Sequence, residues 1–233
     1  MRPPKAFGVP VPYDVPLDDL RARLELPGPM AWAACLALAH RPEPEALALL
    51  VSLAKRPEFE YRNLAVQAIA DHALGAQAAE TVINALSDSV PQVVRTACDA
   101  AGKLRLEAAR PKLLSLLVCD DAQARLQAVR ALGEIWTHED YALILECSKK
   151  DKAEFVRKEA AKTLRRTVTA KNWRHLFDRW KRDKSPQNRV WACEILGDFG
   201  ADPDMSELHR LRRDPNRHVR EAGERLAALR GMS

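Results

Sequence analysis

A chain of 233 residues, 47% of them hydrophobic, can bury a large core, yet no run of 18 apolar residues offers a membrane-spanning helix. Five cysteines, an odd number without close pairing, argue against a disulfide framework; with a proline-broken N-terminus that lacks the apolar run of a secretory signal, they make the expected location cytoplasmic. The formal charge of +5 is uneven: residues 149–189 hold fifteen Lys or Arg against five Asp or Glu, an excess of ten that either faces water or attracts phosphate or an acidic protein surface.

Pro3, Pro4, Pro10, Pro12 and Pro16 make residues 1–15 read as irregular. Pro16 suits the first turn of a short helix, "PLDDLRARLEL", in which Leu17, Leu20 and Leu24 share one face and Pro27-Gly28-Pro29 ends the run. The expected organisation is therefore an irregular segment with a capping helix over 1–29, followed by one continuous array over 30–233. Within that array seven segments rich in small residues begin near 30, 61, 92, 124, 155, 187 and 218. Segments such as "PEALALLVSLAKR", "ARPKLLSLLVCD" and "TAKNWRHLFDRWKRD" fall between them. Each pair reads as a first and a second helix joined by a short turn, too short to be stable alone and dependent on stacking.

A motif recurs with the same beat. Asp88, Asp120, Asp151, Asp183 and Asp214 are separated by 31 or 32 residues, and Arg95, Arg125, Arg157, Arg189 and Arg220 follow them by about six. The third unit carries a one-residue slip, because six steps from Asp88 lead to Val94. At such turns a carboxylate accepts bonds from free backbone amides, and an arginine forks onto it or onto its neighbour's carboxylate. The series Asp88, Asp120, Arg125, Asp151, Arg157, Asp183, Arg189, Asp214 and Arg220 is expected to be a structural ladder along one edge. Ala128, Leu132 and Ile135, Ala160 and Leu164, and Ala192 and Leu196 place small residues and leucines on the packing face.

Segments such as "DDAQARLQAVRALGEI" resemble HEAT repeats, in particular the short HEAT-like repeats of the phycobilisome lyase type, over roughly residues 30–230. The resemblance implies an all-α fold: a right-handed α-solenoid of about seven stacked HEAT-like helix pairs, with second helices on the concave face. It implies less about function, since similar arrays serve as adaptors, assembly factors, chromophore lyases, a metal-dependent hydroxylase and alkyl-base DNA glycosylases. The reading adopted is a non-enzymatic adaptor or scaffold that binds a protein or peptide partner on the concave helix face. The alternative is a nucleic-acid-binding protein using residues 149–189, with glycosylase chemistry as one form of it; a lyase is less favoured.

On the concave face so implied, Lys158, Lys162 and Arg165 share one side, Arg166 and Arg130 border them, and Glu194 and Asp198 supply an acidic neighbour. Trp191 stands two residues after Arg189 on a second helix, where exposure beside cations would favour base stacking. The stripe Trp173, Phe177 and Trp180 reads instead as a buried face. Iron-binding arrays of this kind use repeated His-Glu pairs, whereas this chain has one such pair, His138-Glu139, with Asp140 beside it. No catalytic residue, cofactor or metal is expected, and Cys35, Cys98 and Cys193 read as packing thiols.

Overall fold

A computed structural model describes residues 5–6, 8–26, 28–200 and 205–231. Pro3, Pro4 and Pro27, singled out above as breakers, lie outside the described residues. Among those described, helices dominate: α1 (Leu17–Leu24), α2 (Pro29–Ala39), α3 (Pro44–Leu53), α4 (Phe59–Asp71), α5 (Ala79–Ala85), α6 (Pro91–Lys103), α7 (Arg110–Leu116), α8 (Ala122–Glu134), α9 (Asp140–Lys150), α10 (Glu154–Arg166), α11 (Trp173–Trp180), α12 (Pro186–Phe199), α13 (Met205–Leu211) and α14 (Arg217–Leu229). The chain packs as two compact units, residues 1–160 and 161–233.

The N-terminus is more ordered than its prolines suggest. Two-residue strands, β1 (Lys5–Ala6) and β2 (Val9–Pro10), pair antiparallel. Gly8 between them has φ of +87°, a left-handed conformation open to glycine without steric cost. Arg41 then donates from Nη1 to the carbonyls of Tyr13 at 3.2 Å and Val15 at 3.1 Å, while Arg56 donates to the Leu24 carbonyl at 3.2 Å. Val11 is buried beneath this strap.

In residues 1–160, α2 touches α4, α4 touches α6 and α6 touches α8, and α3, α5 and α7 each back the second helix that follows. The sequence explains the close approach. Ala65, Val66, Ala68 and Ile69 of α4, Val94, Ala97, Cys98 and Ala101 of α6, and Ala128, Val129 and Leu132 of α8 are all buried. At Gly102 a Cβ would lie 3.0 Å from the Ala131 Cα, so a methyl there would require the α8 backbone to give by a few tenths of an ångström. In residues 161–233, α12 packs on α11 and α14, and α13 backs α14. Its core joins Leu176, Phe177 and Trp180 to Ala192, Cys193, Ile195 and Leu196 and to Val219, Ala222 and Leu226. The stripe read as buried is so for Phe177 and Trp180; Trp173 is half-buried, stacked 6.4 Å from the Phe199 ring.

Candidate functional site

The turn edge carries the repeated Asp and Arg. Arg62 Nε donates to Asp88 Oδ2 at 2.7 Å and Nη2 to Oδ1 at 2.9 Å; Arg125 makes the same fork on Asp151 at 2.7 and 2.8 Å, and Arg189 on Asp214 at 2.8 and 2.9 Å. Each arginine therefore reaches the carboxylate of the following repeat. The remaining nitrogen turns back: Nη1 of Arg125, Arg157, Arg189 and Arg220 donates to the carbonyls five and six residues earlier. Each carboxylate also accepts the amide two residues on, at Val90, Gln123, Ala153, Ser185 and Asn216, which fixes the entry into the next second helix.

Asp120 requires correction. Arg95 Nε donates to Asp121 Oδ2 at 2.7 Å, and Asp121, not Asp120, caps α8; Asp120 is exposed and offers its backbone carbonyl to Arg125. The slip at Arg95 and the slip at Asp121 compensate, so that arginine and next carboxylate stay 26 residues apart, as in the Arg62–Asp88 and Arg125–Asp151 pairs. The pair is looser: the Arg95 side chain is 35% exposed, against 11% for Arg125. Arg62, absent from the sequence-derived series, belongs to it by the same spacing.

These contacts set the charges. The Arg62, Arg95 and Arg125 guanidiniums hold the Asp88, Asp121 and Asp151 carboxyls below the usual carboxylate range. At Asp214 burial acts in the opposite direction and is outweighed by Arg189 and the Asn216 amide, so its pKa is also lowered. The guanidiniums of Arg62, Arg125 and Arg189 are correspondingly pushed up by the same hydrogen bonds.

The second-helix surface is a different place. Pairs link successive repeats within each unit: Lys103 to Asp71 at 3.5 Å, Arg130 to Glu159 at 3.1 Å, and Arg165 to both Glu194 at 3.1 Å and Asp198 at 3.0 Å. Arg165 and the two acidic neighbours expected beside it are thus brought together. Lys158 pairs within α10 to Glu154 at 2.7 Å; Lys162 and Arg166 are exposed on the same helix. Trp191 is half-buried, its ring 5.6 Å from that of Trp180 on α11, so the indole leans on the first helix instead of presenting a bare stacking face.

A cleft on this surface lies between α12 and α14. It has a volume of about 440 Å³ and is lined by Arg165, Glu194, Asp198, Gly197, Arg225, Leu226, Leu229 and Arg230, among others. Gly197 leaves the floor low, and Leu229 is 85% exposed at its rim. Arg230 donates to the carbonyls of Leu196 at 2.8 Å and Gly200 at 2.7 Å, closing the end of α12. Sequence reasoning missed Arg225, Leu229 and Arg230 because the last helix was read only as another repeat.

Other candidates separate. Asp140 is buried and taken by Arg110, which also donates to the Ile135 carbonyl, while His138 and Glu139 face solvent. Burial pushes the Cys35, Cys98 and Cys193 thiols up to about 12, and it also raises Cys119 and Cys147, the opposite of an activated nucleophile. Among the described residues no three His, Cys, Asp or Glu gather as metal ligands. No helix among them is long and apolar enough to cross a membrane.

Residues 79–165 match the family model for HEAT repeats. Among solved structures, the complex of CpcE and CpcF of phycocyanin lyase from Nostoc sp. PCC7120 is 16% identical with a TM-score of 0.57, covering 93% of this chain and 95% of that one. The archaeal HEAT-like repeats protein from Thermococcus onnurineus NA1 is 16% identical with a TM-score of 0.56, covering 92% and 97%. A chain of the Kap95p complex with RanGDP is 14% identical with a TM-score of 0.58; the match spans 89% of this chain but 34% of that one. Curated protein sequences gave no match. The family match covers residues 79–165 only, and at these identities the likeness to solved structures shows a helical-repeat fold and nothing further.

Proposed function

We propose that the chain is a non-enzymatic adaptor that binds a protein or peptide partner on its second-helix surface. The observation that carries this reading is the α12–α14 cleft, where an apolar floor and the exposed Leu229 lie between charged walls. An apolar anchor ringed by charges is how protein interfaces divide affinity from orientation. The cations expected to hold phosphate are largely spoken for: Arg130, Lys158 and Arg165 each face a carboxylate within 3.1 Å. A groove of alternating sign suits a protein surface better than a uniform polyanion. Kap95p binds RanGDP, and CpcE and CpcF form a complex with each other, so arrays of this fold do meet proteins.

The test is copurification from the native cell followed by binding of the recovered partner to purified Leu229→Glu protein. Leu229 is exposed, so the substitution leaves the fold intact while placing a charge on the apolar rim. Loss of binding by at least tenfold supports the cleft. Undiminished binding to Leu229→Glu and to an Arg225→Glu variant overturns it.

A further inference from the structure

The first-helix side of residues 161–233 holds a second, differently built surface. These residues carry seventeen Lys or Arg against ten Asp or Glu. His175 and Arg179 stand four residues apart on one side of α11, with Lys171 in the turn before the helix and Arg182 and Lys184 in the segment after it, and all five are exposed. Leu176, Phe177 and Trp180 are buried on the opposite side of the helix, so the row faces out.

The nearby carboxylates are already occupied. Glu207 on α13 takes Lys181 at 3.1 Å, Arg182 at 3.3 Å and Arg210 at 2.9 Å; Asp178 takes Lys181 at 2.8 Å, and Asp183 accepts the Ser185 amide. Lys171, Arg179 and Lys184 remain exposed, with no carboxylate partner among the described residues. The 8 residues of α11 span roughly 12 Å of helix axis, at about 1.5 Å per residue, and the flanking cations extend the row at both ends.

We propose that this side docks the phosphodiester backbone of nucleic acid without reading sequence. A row in which Lys171, Arg179 and Lys184 have no carboxylate partner matches a linear polyanion, for which electrostatics alone supplies binding. A protein partner would need an apolar anchor, and a membrane surface an inserted apolar group. The aromatic nearest the row does not project: Trp173 is half-buried on Phe199, with the Arg174 guanidinium 4.5 Å above its ring. The row lies on other helix faces than the α12–α14 cleft, so the two readings stand or fall separately.

The experiment is fluorescence anisotropy of the full chain with a labelled DNA duplex and a single-stranded RNA of arbitrary sequence, from about 25 to about 200 mM salt. The expected result is binding that weakens steeply with salt. In Lys171→Gln/Arg179→Gln/Lys184→Gln the slope of log K against log salt on the duplex falls by about 2.7, at about 0.9 per lost phosphate contact, and affinity at about 50 mM salt drops at least tenfold. Leu229→Ser, on the cleft, leaves both unchanged. Absence of binding at about 25 mM salt, equal binding by the triple variant, or preferential binding to phosphatidylserine vesicles would each overturn the proposal.

Discussion

Replacing Arg125 by methionine is the sharpest test of the turn-edge ladder. Its side chain is 11% exposed and that of its partner Asp151 6%. Four hydrogen bonds disappear: two to the Asp151 carboxylate and two to the carbonyls of Cys119 and Asp120. Methionine refills the volume of the aliphatic stem, so the cost is mainly a buried carboxylate left with the Ala153 amide as its remaining partner among the described contacts. Breaking such a pair from one side costs about 3–5 kcal/mol. Arg95→Met is the internal control, because a more exposed arginine holding Asp121 through Nε is worth about 0–1 kcal/mol. In an Asp151→Asn background the amide oxygen can still accept from Ala153, the buried charge is gone, and Arg125→Met should cost only about 1–2 kcal/mol. Urea unfolding followed by far-UV circular dichroism measures the totals. Amide exchange of α8 and α10 is needed beside it, since repeat arrays unfold by segments. A loss under about 1 kcal/mol, a loss equal to that of Arg95→Met, or one undiminished by Asp151→Asn would refute the assignment of Arg125 as a brace between repeats.

Gly102→Ala and Gly197→Ala should have opposite signs. The first drives a methyl toward the Ala131 backbone and should destabilise by about 1–3 kcal/mol. The second meets only the flexible end of Leu226 at 3.2 Å and should be neutral or stabilising by up to about 1 kcal/mol in a thermal melt. His72 is buried and its Nδ1 accepts the Leu74 amide at 2.9 Å, so burial holds its folded pKa below the ordinary 6.5. The unfolded chain then takes up a proton that the folded one resists: this contribution is fully present above pH 6.5 and is lost as pH falls below it, a slope that His72→Asn should remove. The ladder carboxylates titrate separately, their stabilisation being present above the ordinary value of 3.8 and lost only as pH falls further. Thiol labelling at mildly alkaline pH should reach Cys119 and Cys147 before the fully buried Cys35 and Cys98; immediate reaction of all five would contradict the burial found here.

Periodicity made the helix pairs legible, because a stacked repeat must return small residues and leucines to the same face every turn of the array. Ala128 with Leu132 and Ala192 with Leu196 carried that signal, and all four are buried. Choosing between Asp120 and Asp121 was beyond it. Two adjacent carboxylates look alike until the reach from the preceding arginine is counted, and that reach of 25 or 26 residues varies less than the distance to the arginine that follows. The orientation of Trp191 was left open for a related reason. Position along a second helix does not say toward which neighbour a large ring leans, and Trp180 offered it an aromatic contact. Asp140 drew attention as a companion of His138 and Glu139, yet its environment is set by Arg110, thirty residues away. The N-terminal hairpin depended on one glycine and two carbonyl contacts to Arg41, neither of which leaves a periodic trace.

Charge read from composition also misplaces the field. Residues 149–189 look uniformly basic, but their arginines do unlike work. Arg157 and Arg189 are spent on turn carbonyls, with Arg189 also forked on Asp214; Arg165 bridges two carboxylates on α12. A cation neutralised within a few ångströms contributes little at the distance where a partner is first felt. Lys171, Arg179 and Lys184, which have no carboxylate partner among the described residues, lie on α11 and its turns, as Lys162 does on α10. The same +10 segment thus braces the repeats with some residues, edges an apolar cleft with others, and leaves only a minority to project a field. Substituting the minority should change salt-dependent binding while sparing stability, and substituting the bracing arginines should do the reverse. That division of effects is what repeats braced at their turns, with the cleft and the α11 cations on separate helix faces of residues 161–233, require.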